Sequence, residues 1–156
     1  AGAGDGGGAS GEPSSRADGA GGAGTVGGLG PGAGRGRVAG PADLDLPLDD
    51  VRLREVGLTL GSGVVMVHDQ HVDLVDQLRR IAAFFRDESC GQCVPCRVGT
   101  VRQEEAIERL ASGTGEADLS LLRDIAGAMR DASICGLGQT AANAIQSAVV
   151  RLGVLT

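Results

Sequence analysis

Three cysteines within seven residues limit what this chain can fold into more than any other feature. They are Cys90, Cys93 and Cys96 in Glu88-Ser89-Cys90-Gly91-Gln92-Cys93-Val94-Pro95-Cys96-Arg97. The fourth and last cysteine, Cys135, follows after 38 intervening residues, in Ser133-Ile134-Cys135-Gly136-Leu137-Gly138. Two residues between cysteines let a short loop curl so that successive sulfurs face a common centre. Three thiolates placed in this way can hold three corners of an iron–sulfur cube, and a remote fourth closes it. A triplet with a distant partner is the recurring ligation pattern of [4Fe–4S] clusters.

Other chemistries use four cysteines. Structural zinc takes four thiolates too, but usually as two separated C-x2-C pairs, so a three-plus-one split suits it poorly. A disulfide framework belongs to exported proteins, and no charged-then-apolar signal segment opens this sequence. A C-x2-C redox pair would follow a strand in a thioredoxin-like setting, which these residues lack. Zinc, disulfide, redox pair and unligated thiols stay open as lesser alternatives to the cluster.

Composition divides the 156 residues unevenly. Residues 1–40 hold 17 of the 28 glycines, with Val26, Leu29 and Val38 as their only sizeable apolar side chains. Such a segment loses much backbone entropy on folding and buries little, so it reads as a Gly-rich disordered tract or linker. Its Gly2-Ala3-Gly4-Asp5-Gly6-Gly7 satisfies G-x-G-x-x-G only formally, with no strand before it and no amphipathic helix after it. The foldable pattern starts near His68. A domain of that size buries a limited core, and a bound cluster is expected to help hold it together.

Net charge is −6 with no basic stripe, so nucleic acid is not an expected partner. No apolar run is long enough to span a bilayer, which argues against direct membrane insertion. Thiolates kept available for a metal suit a reducing compartment, hence a cytoplasmic location, peripheral to a membrane only through partners. Every basic residue is Arg, and the chain opens at Ala1 without Met, as a fragment would.

Residues 41–67 read as a partial sheet. Asp49-Asp50 open a short helical turn, and Val56–Leu60 and Val64–Val67 are β-prone runs about Gly61-Ser62-Gly63. Residues 68–156 read as helical. Apolar side chains recur at three- and four-residue steps over about 70–86, 97–112, 118–131 and 140–152, with Gly113 and Gly153 as stops. Short connections make these a small antiparallel four-helix bundle. The first helix runs into the triplet, the second leaves it and the third returns to Cys135, so both cysteine loops fall at one end. His68 and His71 read as surface or capping residues, and Phe84 and Phe85 as core. Arg97, with Arg86, is a candidate counter-charge to a cluster. Gly91 and Gly136 are either turn glycines or positions where backbone N–H groups approach sulfur.

The run Glu88-Ser89-Cys90-Gly91-Gln92-Cys93-Val94-Pro95-Cys96-Arg97-Val98-Gly99, with Cys135-Gly136-Leu137-Gly138-Gln139-Thr140, resembles a known family. It is similar to the C-terminal iron–sulfur domain of the NADH-binding flavoprotein subunit of respiratory complex I. Related diaphorase subunits of NAD-linked formate dehydrogenases and hydrogenases share that domain, written E-S-C-G-x-C-x-P-C-R-x-G and then C-x-L-G. The second motif is closer to the hydrogenase and formate dehydrogenase branch. Pro47-Leu48-Asp49 and Gly61–Val67 resemble the end of the family's small β-grasp (SLBB-like) domain, and Gly7–Gly11 loosely resembles its G-G-P-S-G turn. The family's flavin and NADH motif, G-R-G-G-A-G-F-P, is absent from this sequence.

The resemblance implies a mainly α fold, with a β-grasp remnant before a helical cluster domain. It implies a [4Fe–4S] cluster on Cys90, Cys93, Cys96 and Cys135, with FMN and NAD reached only through a partner or another domain. The expected partners are flavin-bearing and other iron–sulfur subunits, and the expected role is a one-electron relay. A noncatalytic metal-stabilised assembly domain, or a truncated fragment without activity of its own, is the rival expectation.

Overall fold

The computed structural model describes residues 25–27, 37–40, 43, 45–59, 66–68, 71–113, 115 and 117–155. The fold is mainly helical. In chain order come strands β1 (Thr25–Gly27) and β2 (Val38–Ala39), helix α1 (Asp50–Glu55) and strand β3 (Met66–His68). Helices α2 (Leu74–Asp87), α3 (Val94–Ala111), α4 (Asp118–Ala132), α5 (Gly136–Thr140) and α6 (Asn143–Leu152) follow.

Each long helix starts and ends for a local reason. The Asp73 carboxylate accepts hydrogen bonds from the Val75 and Asp76 N–H groups, at 2.9 and 3.1 Å, and so caps α2. Cys93 is the N-cap of α3, and Pro95 falls in the first turn, where a missing N–H costs nothing. Gly113, at φ 75°, follows the C-cap of α3, and Gly153, at φ 62°, ends α6.

The buried face of α2 (Leu78, Ile81, Ala82 and Phe85) joins Ile107 of α3, Leu122 and Met129 of α4, and Ile145 of α6 in one core. Helix α3 packs on both α2 and α4, and α6 reaches α2 and α4. The α3–α4 approach is close at Gly99. A Cβ there would lie 2.5 Å from the Met129 Cγ and Sδ atoms. Phe84, expected in the core, is instead 43% exposed and meets buried Phe85 edge to face. The two neighbours point about 100° apart on the helix, and only one can face inward.

The three strands form an antiparallel sheet in the order β2-β1-β3, pairing Val26 with Ala39 and with Val67. Residues 25–27 and 38–39 therefore depart from the disordered reading of the tract. They contain its two valines, whose β-branched side chains favour extended backbone. The remainder of that tract, residues 1–24 and 28–36, lies outside the described residues, as do 60–65 in the proposed β-grasp turn. Sheet and helices are tied where the Val38 N–H donates to the buried Ser147 Oγ at 2.8 Å.

Two other expectations change. Val56–Leu60 is not a strand as far as it is described: Val56 is the C-cap of α1, Gly57 turns with φ 74°, and Leu58 folds back into a small core with Leu53 and Ala39. The helix expected over 140–152 is α6, which starts later at Asn143, and it is preceded by a separate short helix, α5, the two parted at Ala141-Ala142. The first of them starts immediately after Cys135, earlier than apolar spacing indicated.

Candidate metal centre

The triplet occupies the connection between α2 and α3, with Cys96 already one turn into α3. Gly91 turns the loop with φ 75°, a left-handed conformation that favours glycine. The Arg97 Nη1 donates to the Gly91 carbonyl at 3.1 Å and braces that turn. Arg86 is otherwise engaged. Its guanidinium binds Asp87 and Glu104, which neutralise it and raise its pKa. Cys135 is the N-cap of α5, in the connection from α4.

The two loops touch. The Cys93 sulfur lies within reach of the backbone N–H groups of Ile134, in the Cys135 loop, and of Cys96. Together with the Ser133 hydroxyl they lower its pKa and favour the thiolate. Gly138 of α5 rests against Cys96: a Cβ added there would be 2.9 Å from the Cys96 Cβ. Cys96 is 4% exposed, and burial raises its pKa. The Ser89 hydroxyl opposes that rise, while the negative charges of Cys93, Cys135 and Cys90 add to it. All four cysteines are free, with Cys90 and Cys135 at the surface.

The fit to a cofactor follows from this donor set. Four free thiols come from two adjoining loops, and the Cys96 sulfur is close enough to the other three to feel them. Among the described residues no three His, Cys, Asp or Glu side chains stand close enough to share a single metal ion. A tetrahedral zinc with Zn–S bonds near 2.3 Å would need sulfurs roughly 3.8 Å apart. A four-iron cube holds its cysteines more widely. His68 closes β3 opposite Thr25, and His71 is exposed before α2, so neither is required in the thiol set.

Several residues that position the loops carried little signal. Thr100 and Gln103 are polar, yet fully buried on α3. The Thr100 hydroxyl donates to the Cys96 carbonyl at 2.9 Å, and the Gln103 amide to the Ala141 carbonyl at 3.5 Å. The Gln139 amide donates to the Ser133 carbonyl at 3.0 Å and folds α5 back over the loop.

A mainly helical domain with its thiols gathered in two adjoining loops has the make-up of an iron–sulfur protein. Residues 76–152 match the NADH-ubiquinone oxidoreductase-F iron-sulfur binding region, a 4Fe-4S family, and this part of the chain belongs to it. The chain is 38% identical over 106 residues to the HndC component of the NADP-reducing hydrogenase of Solidesulfovibrio fructosivorans, covering 67% of this chain and 22% of that protein. It is 36% identical over 113 residues to an F-type component of the NADH-quinone oxidoreductase of Rhizobium meliloti, covering 72% and 26%. The crystal structure of an NAD+-reducing [NiFe]-hydrogenase in the H2-reduced state is similar with a TM-score of 0.70 and 33% identity, over 84% of this chain and 22% of that one. The chain thus spans about a quarter of the length of the curated relatives it matches.

Proposed function

We propose that Cys90, Cys93, Cys96 and Cys135 hold one [4Fe–4S] cluster at the shared end of an antiparallel helical bundle. The domain is then a one-electron relay within an NADH-linked oxidoreductase of the complex I flavoprotein or hydrogenase diaphorase kind. The observation that carries this reading is the contact between loops, in which the Ile134 N–H reaches the Cys93 sulfur and Gly138 packs on Cys96.

When bound, the cluster supplies one-electron redox chemistry at a potential set by charge, hydrogen bonds and solvent access. The chain's own residues hold and shape the site. Gly91 turns the loop, Arg97 braces it, and Thr100 and Gln103 anchor α3 beneath it. Backbone N–H groups of Ile134 and Cys96 stabilise thiolate charge. Exposed Cys90 and Cys135 leave one side of the site near the surface, where a partner's redox group can approach.

Flavin and NADH chemistry would come from a partner or from another domain, and electrons would pass to iron–sulfur subunits of the same complex. Val94 and Val98 beside the triplet, and Ile134 beside Cys135, are exposed apolar side chains suited to cover by such a subunit. Among the described residues no helix is long and apolar enough to cross a membrane. A cytoplasmic, partner-bound location accords with free thiols.

Anaerobic purification followed by iron, sulfide and zinc analysis tests the reading. About four irons and four sulfides per chain, with broad absorbance near 400 nm, are expected. A colourless protein holding one zinc would replace the relay with a structural metal domain.

A further inference from the structure

Ser133 is the C-cap of α4, two residues before Cys135, and is 6% exposed. Its main chain is satisfied on both sides. The N–H donates to the Met129 carbonyl at 3.1 Å, and the carbonyl accepts from Gln139 at 3.0 Å. Its hydroxyl is not satisfied: the Oγ atom is buried without a hydrogen bond of ordinary geometry. An orphaned buried hydroxyl calls for an acceptor, and the neighbouring cysteine sulfurs are the acceptors at hand. What lies around it is the Cys93 sulfur, the Gly138 backbone and the Cys96 side chain beyond.

A second hydroxyl has the same outlook. Ser89 Oγ is 3.3 Å from Cys96 Sγ and accepts the Gly91 N–H at 3.4 Å. A metal-bound thiolate has no proton to give, so within this pair Ser89 is the donor and the Cys96 sulfur the acceptor.

We propose that Ser133 and Ser89 are paired hydroxyl donors to the Cys93 and Cys96 sulfurs, and that together they raise the reduction potential of the cluster. This rests on the ligation proposed above and extends it to residues outside the ligand set. The reduced cluster carries one more negative charge, shared with its sulfurs, so an O–H donor stabilises it more than the oxidised form. Both residues act through the cysteines and are positioning residues.

The test uses the full chain, loaded anaerobically, as wild type, Ser133→Ala, Ser89→Ala, the double variant and Ser133→Thr. Iron and sulfide per chain and EPR-monitored redox titrations are recorded for each. At full iron content, each alanine variant is expected to lower the reduced-to-oxidised ratio at fixed potential by about threefold to tenfold. Tenfold corresponds to about 59 mV for one electron. The double variant falls further, and Ser133→Thr, which keeps the hydroxyl, stays nearer the wild type. Where Ser133→Ala loses its cluster, Ser89→Ala in the less packed loop decides. Wild-type potentials in the fully loaded alanine variants overturn this inference and leave the ligation intact. A wild-type chain that takes up no cluster overturns both.

Discussion

Gly138 is where the packing of the fold and the construction of the site meet, and changing it to alanine is a demanding test. The new Cβ would fall 2.5 Å from Ser133 Oγ, 2.6 Å from Ser133 Cβ and 2.9 Å from Cys96 Cβ. Carbon atoms in contact prefer separations near 3.5–4.0 Å, so roughly 1 Å of relief is needed. Two of these three atoms are Cβ atoms fixed to main chain, so the backbone of α5 or α3 has to move. Overpacking of this kind costs about 1–3 kcal/mol. Replacing a helical glycine returns about 0.5–1 kcal/mol of backbone entropy, leaving a net loss of up to about 2.5 kcal/mol, centred near 1.

Gly127 is the control. It lies inside α4, and a Cβ there meets nothing within 4 Å. Gly127→Ala is expected to stabilise by about 0.5–1 kcal/mol. Far-UV circular dichroism melts should therefore move in opposite directions. At about 4–8 °C per kcal/mol for a domain of this size, Gly138→Ala drops by about 4–8 °C at the centre of that range and by at most about 20 °C, while Gly127→Ala rises by a few degrees. Iron content should fall in Gly138→Ala alone, because the Cys135 loop is pushed from Cys96. Equal melting temperatures with equal iron in the two variants would refute the close approach.

Other consequences are simpler. Gly91 and Gly113 both sit at φ 75°, so alanine at either costs about 1–2 kcal/mol, but only Gly91→Ala should lower iron per chain. The hydrogen bond from Arg109 holds the Asp118 carboxyl below its ordinary pKa. Its stabilisation is therefore present above the unfolded value, about 3.9, and is lost as pH falls through the lower folded value. Urea midpoints of wild type and Asp118→Asn should differ at pH 7 and converge at acidic pH. Ser147→Ala strands the Val38 N–H, costs about 1–3 kcal/mol and speeds hydrogen exchange at Val38, where a mere cavity effect would leave exchange protected.

The helices and cysteine loops were legible because their signals are local. Apolar side chains at three- and four-residue steps and the stops at Gly113 and Gly153 act within a turn or two. The starts were misjudged: Asp73 and Cys93-Val94-Pro95 begin α2 and α3 at 74 and 94, not at about 70 and 97. Of the sheet, only β3 was legible, in the β-prone run Val64–Val67; β1 and β2 were not, since Val26 and Val38 gain their partners from Val67 and Ser147, distant in sequence. The break between α5 and α6 was hidden because Ala141 and Ala142 suit helix or turn equally well by composition. Phe84 was misplaced because adjacent phenylalanines carry no sign of which faces inward. Gln103, Ser133 and Gly138 look unremarkable in sequence. Their importance arises only from what α3, α4 and α5 bring against them.

The central claim is convergence of four sulfurs from two separate loops on one cofactor, and Cys135 carries it because it alone comes from the second loop. Iron, sulfide and EPR measurements on Cys135→Ala, purified anaerobically beside the wild type, test it most directly. Loss of iron together with disappearance of the wild-type EPR signal is the predicted result. A variant that keeps its full iron and sulfide and an unchanged signal would show that Cys135 is no ligand.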